Sequence, residues 1–294
     1  MNIYHLFSSR GENKVVFGVN IKKVWRLFFA LIYVISLLGR PAIPVKAAAA
    51  WTAYNDSAWV SGQTNPTNTT TILGITGTGA LKNFDTGAST GVTATFTSSL
   101  SPTMQASSGT ASNSGTDAYN TFNGKANMIG VVNYGSLGWY IDLTLTGLNP
   151  AKTYTFATSA TRNDSTYTAR NTTYILSRDT AATNASTSGV KVVNSHTIAF
   201  NTGTNLTQGY VARWTGINPG SDGTIAIRAR ASTTSEIAGS VYQGYGFSVF
   251  MLQEEITGPT ITTSGSLSAF SSAPGVVSAE QSYTVSGSDL TDNI

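Results

Sequence analysis

The chain has 294 residues, a formal net charge of +3 at pH 7 and no cysteine, which excludes a disulfide framework, a thiolate nucleophile and a cysteine-ligated metal site. Seven of the 17 Lys and Arg residues and one of the 14 Asp and Glu residues precede Ala48, which leaves 10 basic against 13 acidic residues, a net charge of −3, for the rest. The basic surplus belongs to the N-terminal segment, so charge gives no reason to expect a nucleic-acid partner.

The first predicted element is an export signal over residues 1–50. Three basic residues lie within 22–26, and an uncharged apolar run follows at 27–39. Two prolines and the alanines at 47–50 then provide a helix end and a signal peptidase site. The apolar run is shorter than the roughly 20 residues of a spanning helix. We therefore expect a cleaved signal-peptide helix and a secreted or cell-surface protein with no membrane segment after cleavage. An uncleaved N-terminal anchor is the alternative.

Residues 51–253 alternate between apolar and polar side chains in short runs. The runs at 141–145 and 245–251 are examples, and Gly, Asn, Pro or Ser bounds each of them. Alternation with a period of two is typical of β-strands, and about ten such runs occur without a capped helical stretch among them. The sequence therefore predicts an all-β fold, with a jelly-roll β-sandwich over 51–253.

One turn within this region has the spacing of a tyrosine corner. Leu148, Pro150 and Tyr154 fit the pattern L-x-P-x-x-x-Y, in which the tyrosine hydroxyl bonds back to the backbone of the turn. The turn sequence repeats at 215–219 without the tyrosine. We predict a repeated turn geometry, not a repeated domain.

A domain boundary is predicted after residue 253. Residues 254–264 are expected to form a linker, and residues 265–294 are too few to bury a core of their own. We expect 265–294 to be the start of an incomplete immunoglobulin-like domain, and the chain to be the front part of a longer protein.

Two stretches carry a family resemblance. The stretch GSLSAFSSAPGVVSAEQSYTVSGSDLTDNI (265–294) resembles the start of an immunoglobulin-like repeat of large secreted bacterial proteins. Residues 51–253 look like an N-terminal jelly-roll module of similar multidomain exoproteins. The matching pieces are TAYNDSAW (52–59), GTDAYNTFNGK (115–125), TGLNPAKTYTF (146–156) and GYVARWTGINPGSDG (209–223). The resemblance implies an accessory role here, with any nuclease or phosphatase domain lying beyond Ile294.

Three patterns with a catalytic form do not predict an active site. Residues 87–91 fit G-x-S-x-G, but 92–97 alternate as a strand where a nucleophile elbow requires a helix. His196 is the single histidine after the leader and is expected to be exposed at a strand start. Glu254 and Glu255 are adjacent, so on a strand they face opposite sides and cannot form a glycosidase pair. We therefore predict no enzyme activity within these residues.

Four aromatic residues are the candidate ligand contacts. Trp59 and Tyr119 lie in polar segments that we expect to be loops. Trp139 and Tyr140 are adjacent on a predicted strand, so they face opposite sides and at most one need be core. Because sugar rings stack on exposed aromatic rings, the sequence predicts a carbohydrate-binding or cell-surface adhesion module. The alternatives are that these aromatics cap the sandwich edge, and that the module is a structural spacer or the targeting segment of a larger secreted hydrolase.

A structural calcium ion is the single cofactor considered. Asn218 and Asp222 lie in a loop whose oxygen atoms suit calcium. The same residue types also form tight turns, so turn chemistry is an equal alternative.

Overall fold

The structure is a computed structural model that describes residues 49–56, 66–72, 76–105, 109–255, 260–264, 277, 280–282 and 284–288. All but the last two residues of the predicted leader, and Trp59, lie outside the described residues. Among the described residues, no helix has the length and apolar character needed to cross a membrane.

The described part of the chain contains one short helix, α1, and seventeen strands. In chain order they are β1 (Ala49–Asp56), β2 (Thr70–Thr71), β3 (Thr78–Lys82), β4 (Ser89–Ser99), β5 (Thr103–Gln105), α1 (Asp117–Phe122), β6 (Val131–Asn133), β7 (Tyr140–Thr146), β8 (Thr153–Ser159), β9 (Asn171–Ser177), β10 (Ala181–Asn184), β11 (Lys191–Asn194), β12 (Thr197–Asn201), β13 (Ala212–Asn218), β14 (Thr224–Ala231), β15 (Val249–Glu255), β16 (Thr260–Ser264) and β17 (Thr284–Ser288).

Two large sheets form a sandwich. The six-stranded sheet has the order β10-β13-β8-β15-β1-β2, and the seven-stranded sheet has the order β11-β12-β9-β14-β7-β4-β3. The described pairings are antiparallel except that of β1 with β2. The strands β1-β15-β8-β13 pack on β7-β14-β9-β12, which is the jelly-roll arrangement of two interlocked Greek keys. The all-β sandwich prediction is confirmed.

Alternating side chains of both sheets fill the space between them. Ile141, Leu143 and Leu145 of β7 are fully buried in this core. Phe96 of the seven-stranded sheet meets Phe250 of the six-stranded sheet, with the ring centroids 6.3 Å apart. Burying a side chain of this size contributes roughly 1.5–3 kcal/mol, so the period-two pattern holds the two sheets together.

The predicted tyrosine corner is present. The Asn149 N–H donates to the Tyr154 hydroxyl at 2.8 Å, and both Leu148 and Tyr154 are buried. The turn between β13 and β14 lies directly against it, because the Leu148 N–H donates to the Gly223 carbonyl at 3.0 Å. Gly223 has φ +61°, and a Cβ there would lie 2.4 Å from the Leu148 oxygen. The β7–β8 and β13–β14 turns therefore pack together, whereas the repeated sequence at 215–219 differs from the first copy because residues 215–218 lie within β13.

A covering layer that contains α1 lies on the outer face of the six-stranded sheet. Ala118 and Phe122 of α1 belong to one buried cluster with Tyr54, Val249 and Met251, which are outward-facing residues of this sheet. The outward side chains of the sheet are apolar here because the covering layer removes them from water.

The expectation that no helix occurs is wrong for α1. Thr116 is its N-cap and accepts a hydrogen bond from the Tyr119 N–H at 3.3 Å. The Arg213 side chain holds the helix to β13 through bonds of 2.7 and 3.1 Å to the Asp117 carboxylate. Six residues with two buried side chains are too few to show a helical period, so the pattern resembled a loop.

A separate hairpin follows the sandwich. β16 pairs with β17 in a two-stranded sheet. The predicted linker 254–264 includes the end of β15 and all of β16. The sequence of β16, Thr-Ile-Thr-Thr-Ser, is rich in β-branched residues that favour strands. Most of the predicted immunoglobulin-like segment 265–294 lies outside the described residues.

Candidate functional site

The outer face of the seven-stranded sheet is a polar surface, which we call the open face. Most of its outward residues on β4, β7, β9 and β14 are at least partly exposed, whereas Asn171, Thr173 and Thr224 are buried. The residues that are at least partly exposed include Thr95, Thr97, Tyr140, Asp142, Thr144, Ile175, Ser177, Ala226, Arg228 and Arg230. By contrast, the outward-facing Ala157 and Val249 of the six-stranded sheet are fully buried under the covering layer. The sandwich therefore has one covered face and one face that a ligand can approach.

An aromatic ring and an ion pair lie side by side on the open face. Arg228 Nε and Nη2 donate to the two carboxylate oxygens of Asp142 at 2.7 and 2.8 Å. The Arg228 guanidinium carbon lies 3.9 Å from the centroid of the Tyr140 ring. Hydrogen bonding to Asp142 raises the pKa of Arg228 above its usual value. These contacts fix the orientation of the ring, and the further N–H groups on Nη1 and Nη2 of Arg228 can donate to a ligand.

A shallow depression of about 380 Å³, the central groove, lies on this face. It is lined by Thr97, Asp142, Thr144, Ile175, Ser177, Arg178, Ala226 and Arg228. The lining combines hydroxyl groups, an ion pair and small apolar surfaces. Such a mixture suits a ligand that is itself both polar and apolar.

A second depression, the end pocket, has a volume of about 350 Å³. It is lined by the segments 137–139, 230–234 and 240–242. Trp139 forms part of its floor, is 1% exposed, and donates from Nε1 to the Tyr242 carbonyl at 2.9 Å. Leu137 and Tyr242, exposed to 75% and 47%, stand at the rim with the partly exposed Val241. The end pocket is thus an apolar depression with a fixed floor.

An ion pair anchors the loop that forms one wall of the end pocket. Arg230 Nη2 and Nη1 donate to the Glu236 carboxylate at 2.6 and 2.9 Å, and the Thr173 hydroxyl donates to it at 2.9 Å. Burial alone would raise the pKa of Glu236. The hydrogen bonds from Arg230, the Thr233 N–H and Thr173 outweigh burial and lower this pKa to about 2. The loop is therefore held to β9 and β14 by a charged carboxylate at ordinary pH.

The three predicted aromatic residues that the structure describes are not brought together. Tyr140 is half-buried on the open face. Its neighbour Trp139 is the core member of the pair, because it is only 1% exposed. Tyr119 lies on α1 in the covering layer, not in a loop, and is half-buried there. Trp59 lies outside the described residues. Tyr119 and Tyr140 are thus both half-buried, and Tyr140 is the one that lies on the open face.

The loop proposed for calcium uses its oxygen atoms within turns. Asn218 Oδ1 accepts from the Gly220 N–H at 2.9 Å, and Asp222 accepts from Arg178 at 3.0 Å and from the Thr224 N–H at 3.2 Å. These contacts match the turn alternative. In the part of the chain that the structure describes, no three His, Asp or Glu side chains are grouped so as to hold a metal ion.

Sequence patterns missed a hydrogen-bonded chain of three side chains. Asp179 Oδ2 lies 2.9 Å from His196 Nε2, and the Ser195 hydroxyl lies 2.8 Å from Nδ1. The residues are of the types that serve as acid, base and nucleophile. However, neither the central groove nor the end pocket includes Ser195 or His196. The contacts attach the tip of the β11–β12 hairpin to the residues that follow β9.

The remaining sequence patterns have structural roles. Ser89 opens β4, so a strand follows it as expected and the G-x-S-x-G match is not a nucleophile elbow. Glu254 accepts from Trp51 Nε1 at 3.0 Å, and Glu255 accepts from the Thr153 hydroxyl at 3.0 Å. Both carboxylates therefore fasten neighbouring strands.

Comparisons with models of protein families, with curated proteins and with solved structures give no match for this chain.

Proposed function

We propose that the chain is a noncatalytic, extracellular carbohydrate-binding module that binds its glycan on the open face. The observation that carries the proposal is the arrangement of Tyr140, Arg228 and Asp142. The ring of Tyr140 is held against the Arg228 guanidinium at 3.9 Å, and the guanidinium is bonded through two nitrogens to Asp142.

The chemistry of a sugar matches this arrangement. A pyranose ring has C–H groups on its faces and hydroxyl groups around its edge. The half-buried Tyr140 ring can pack against the C–H groups, while Arg228 donates to and Asp142 accepts from hydroxyls. Because the ion pair fixes both side chains before binding, little conformational entropy is lost when the sugar arrives.

The electrostatics of the open face favour binding over catalysis. A general acid at neutral pH needs a pKa near the working pH. Instead, the hydrogen bonds to Glu236 lower its pKa to about 2, so Glu236 serves as an acceptor in this proposal. The two oxygens of Asp142 accept hydrogen bonds from Arg228.

The extracellular location rests on the leader predicted at 1–50. The absence of cysteine is compatible with export because a sandwich of this size buries enough apolar surface without disulfides. Attachment to a cell-surface or environmental polysaccharide fits an exported accessory module.

Retention on immobilised glycans tests the proposal. The purified chain is applied to a glycan array and to insoluble polysaccharides, together with Tyr140→Ala, Tyr140→Phe and the matched control Tyr119→Ala. We expect at least one glycan to be retained, and Tyr140→Ala to weaken that binding about tenfold or more. Tyr140→Phe keeps the ring and should retain most of the affinity.

The control variant removes a tyrosine from the covering layer and should bind like the unaltered chain. Thermal unfolding of each variant separates a lost contact from a lost fold. Absence of retention by the folded, unaltered chain on every glycan would reject the proposal and favour a structural spacer. Equal losses in Tyr140→Ala and Tyr119→Ala would reject the open face as the binding surface.

A further inference from the structure

We infer that the central groove and the end pocket form one continuous site for an extended, uncharged polysaccharide chain that lies along β14. The inference rests on the glycan binding proposed above and adds the class of glycan and its direction.

The two depressions follow one another along the same strand. Ala226 and Arg228 of β14 line the central groove, and the segment that begins at Arg230 lines the end pocket. The strand from Ala226 to Ala231 alone extends about 17 Å. Tyr140 lies directly opposite Arg230 in the register of β7 and β14. Its ring is thus placed at the junction, where it can contact a chain that passes from one depression to the other.

The charges on this surface are arranged in pairs. Arg178 donates to Asp222 at 3.0 Å, at the end of the central groove. Further along β14, Arg228 and Arg230 are bonded through two nitrogens each to Asp142 and Glu236.

A polyanion would have to compete with carboxylates that already occupy these guanidinium groups. It would also meet their like charge, because Glu236 and Asp142 accept hydrogen bonds as carboxylates. An uncharged chain avoids this competition, since its hydroxyls can donate to the carboxylates and accept from the remaining guanidinium N–H groups. The paired charges therefore favour a neutral polysaccharide over an acidic one.

Apolar surfaces occur in both depressions. The central groove contains Ile175, which is partly exposed. The end pocket contributes Tyr242 and Leu137 at its rim. Separate contacts for successive sugar units predict that affinity grows with chain length until both depressions are filled.

Titration with oligosaccharides of graded length tests the inference. Neutral oligomers of glucose, xylose and mannose, from disaccharide to hexasaccharide, are compared with heparin and alginate as anionic probes. The unaltered chain, Tyr242→Ala, Tyr140→Ala and the control Tyr119→Ala are measured by calorimetry. Truncating the Tyr242 side chain leaves its backbone carbonyl as the acceptor for Trp139, so the floor of the pocket is kept.

We expect the unaltered chain to bind one neutral hexasaccharide about tenfold or more tightly than the corresponding disaccharide. Tyr242→Ala should abolish this gain, whereas Tyr140→Ala should weaken binding at every length. Affinity that is independent of length and unchanged in Tyr242→Ala would overturn the continuous site while leaving glycan binding intact. Tighter binding of heparin or alginate would overturn the preference for an uncharged chain. A folded chain that binds no probe would reject both proposals.

Discussion

Replacement of Asp56 by asparagine should change how the stability of the sandwich depends on pH. Asp56 is fully buried at the end of β1, and its carboxylate accepts from the Thr71 hydroxyl at 2.7 Å and from the Asn127 N–H at 3.1 Å. Burial disfavours the charged form and raises the pKa from 3.8 to about 6, although these two hydrogen bonds act in the opposite direction. Asp56 thereby fastens β1 and β2 to the covering layer at an electrostatic cost.

The sign of the effect follows from the two pKa values. Between about pH 4 and pH 6 the folded state keeps a proton on Asp56 that the unfolded chain has released, so stability falls as pH rises through this window. A difference of this size between the folded and unfolded pKa corresponds to about 3 kcal/mol. Asparagine resembles the protonated acid, because its Nδ2 can donate to Thr71 and its Oδ1 can accept from Asn127. Asp56→Asn should therefore match the unaltered chain near pH 4 and exceed it by about 3 kcal/mol near pH 8.

Urea unfolding followed by tryptophan fluorescence from about pH 4 to about pH 8 gives the two free energies of unfolding. Asp85→Asn is the matched control, because Asp85 is exposed in the turn between β3 and β4. The control should differ from the unaltered chain by a nearly constant amount. If the advantage of Asp56→Asn stays constant with pH, or grows toward acid, the assignment of Asp56 as a carboxylate destabilised by burial is refuted.

Three further substitutions test the corner and the loop anchor. Tyr154→Phe removes the acceptor of the Asn149 N–H and should lower the free energy of unfolding in urea by about 1 kcal/mol, whereas no change would contradict the role of the corner. Gly223→Ala places a Cβ 2.4 Å from the Leu148 oxygen, at a backbone φ of +61°, and should lower the free energy of unfolding by about 2 kcal/mol. An unchanged free energy of unfolding would show that the turns at Leu148 and Gly223 are not in close contact. Because the folded pKa of Glu236 is about 2 against an ordinary 4.5, its charge contributes stability above about pH 4.5 that is lost as pH falls toward 2. Glu236→Gln should therefore destabilise the protein less in acid than at neutral pH, as measured in acid titrations. A destabilisation that stays constant with pH would refute this role of the Glu236 charge.

Local patterns predicted the strands and the corner. Ile141, Leu143 and Leu145 alternate with polar residues because a strand turns successive side chains to opposite faces, and this period is visible in seven residues. The corner was visible because Leu148, Pro150 and Tyr154 act within one turn. Features of this kind depend on neighbours in sequence, so they could be recognised without the fold.

The site depends on contacts between residues far apart in the chain. Asp142 and Arg228 are separated by 86 positions, and Thr173 and Glu236 by 63. These pairs exist because β7, β9 and β14 are neighbours in the sheet, and the order of strands is a global property that alternation does not encode. The sequence predicted Tyr140 as a candidate, but its partner Arg228 and the end pocket required the topology.

The central claim, that the glycan lies on the open face, is tested most directly by nuclear magnetic resonance of the isotope-labelled chain. The chain is titrated with the glycan that it retains best, and the change in chemical shift is mapped on every assigned residue. The account predicts that the largest changes occur at Tyr140, Arg228 and Tyr242, with little change in α1. Largest changes in α1, with the open face unaffected, would contradict it.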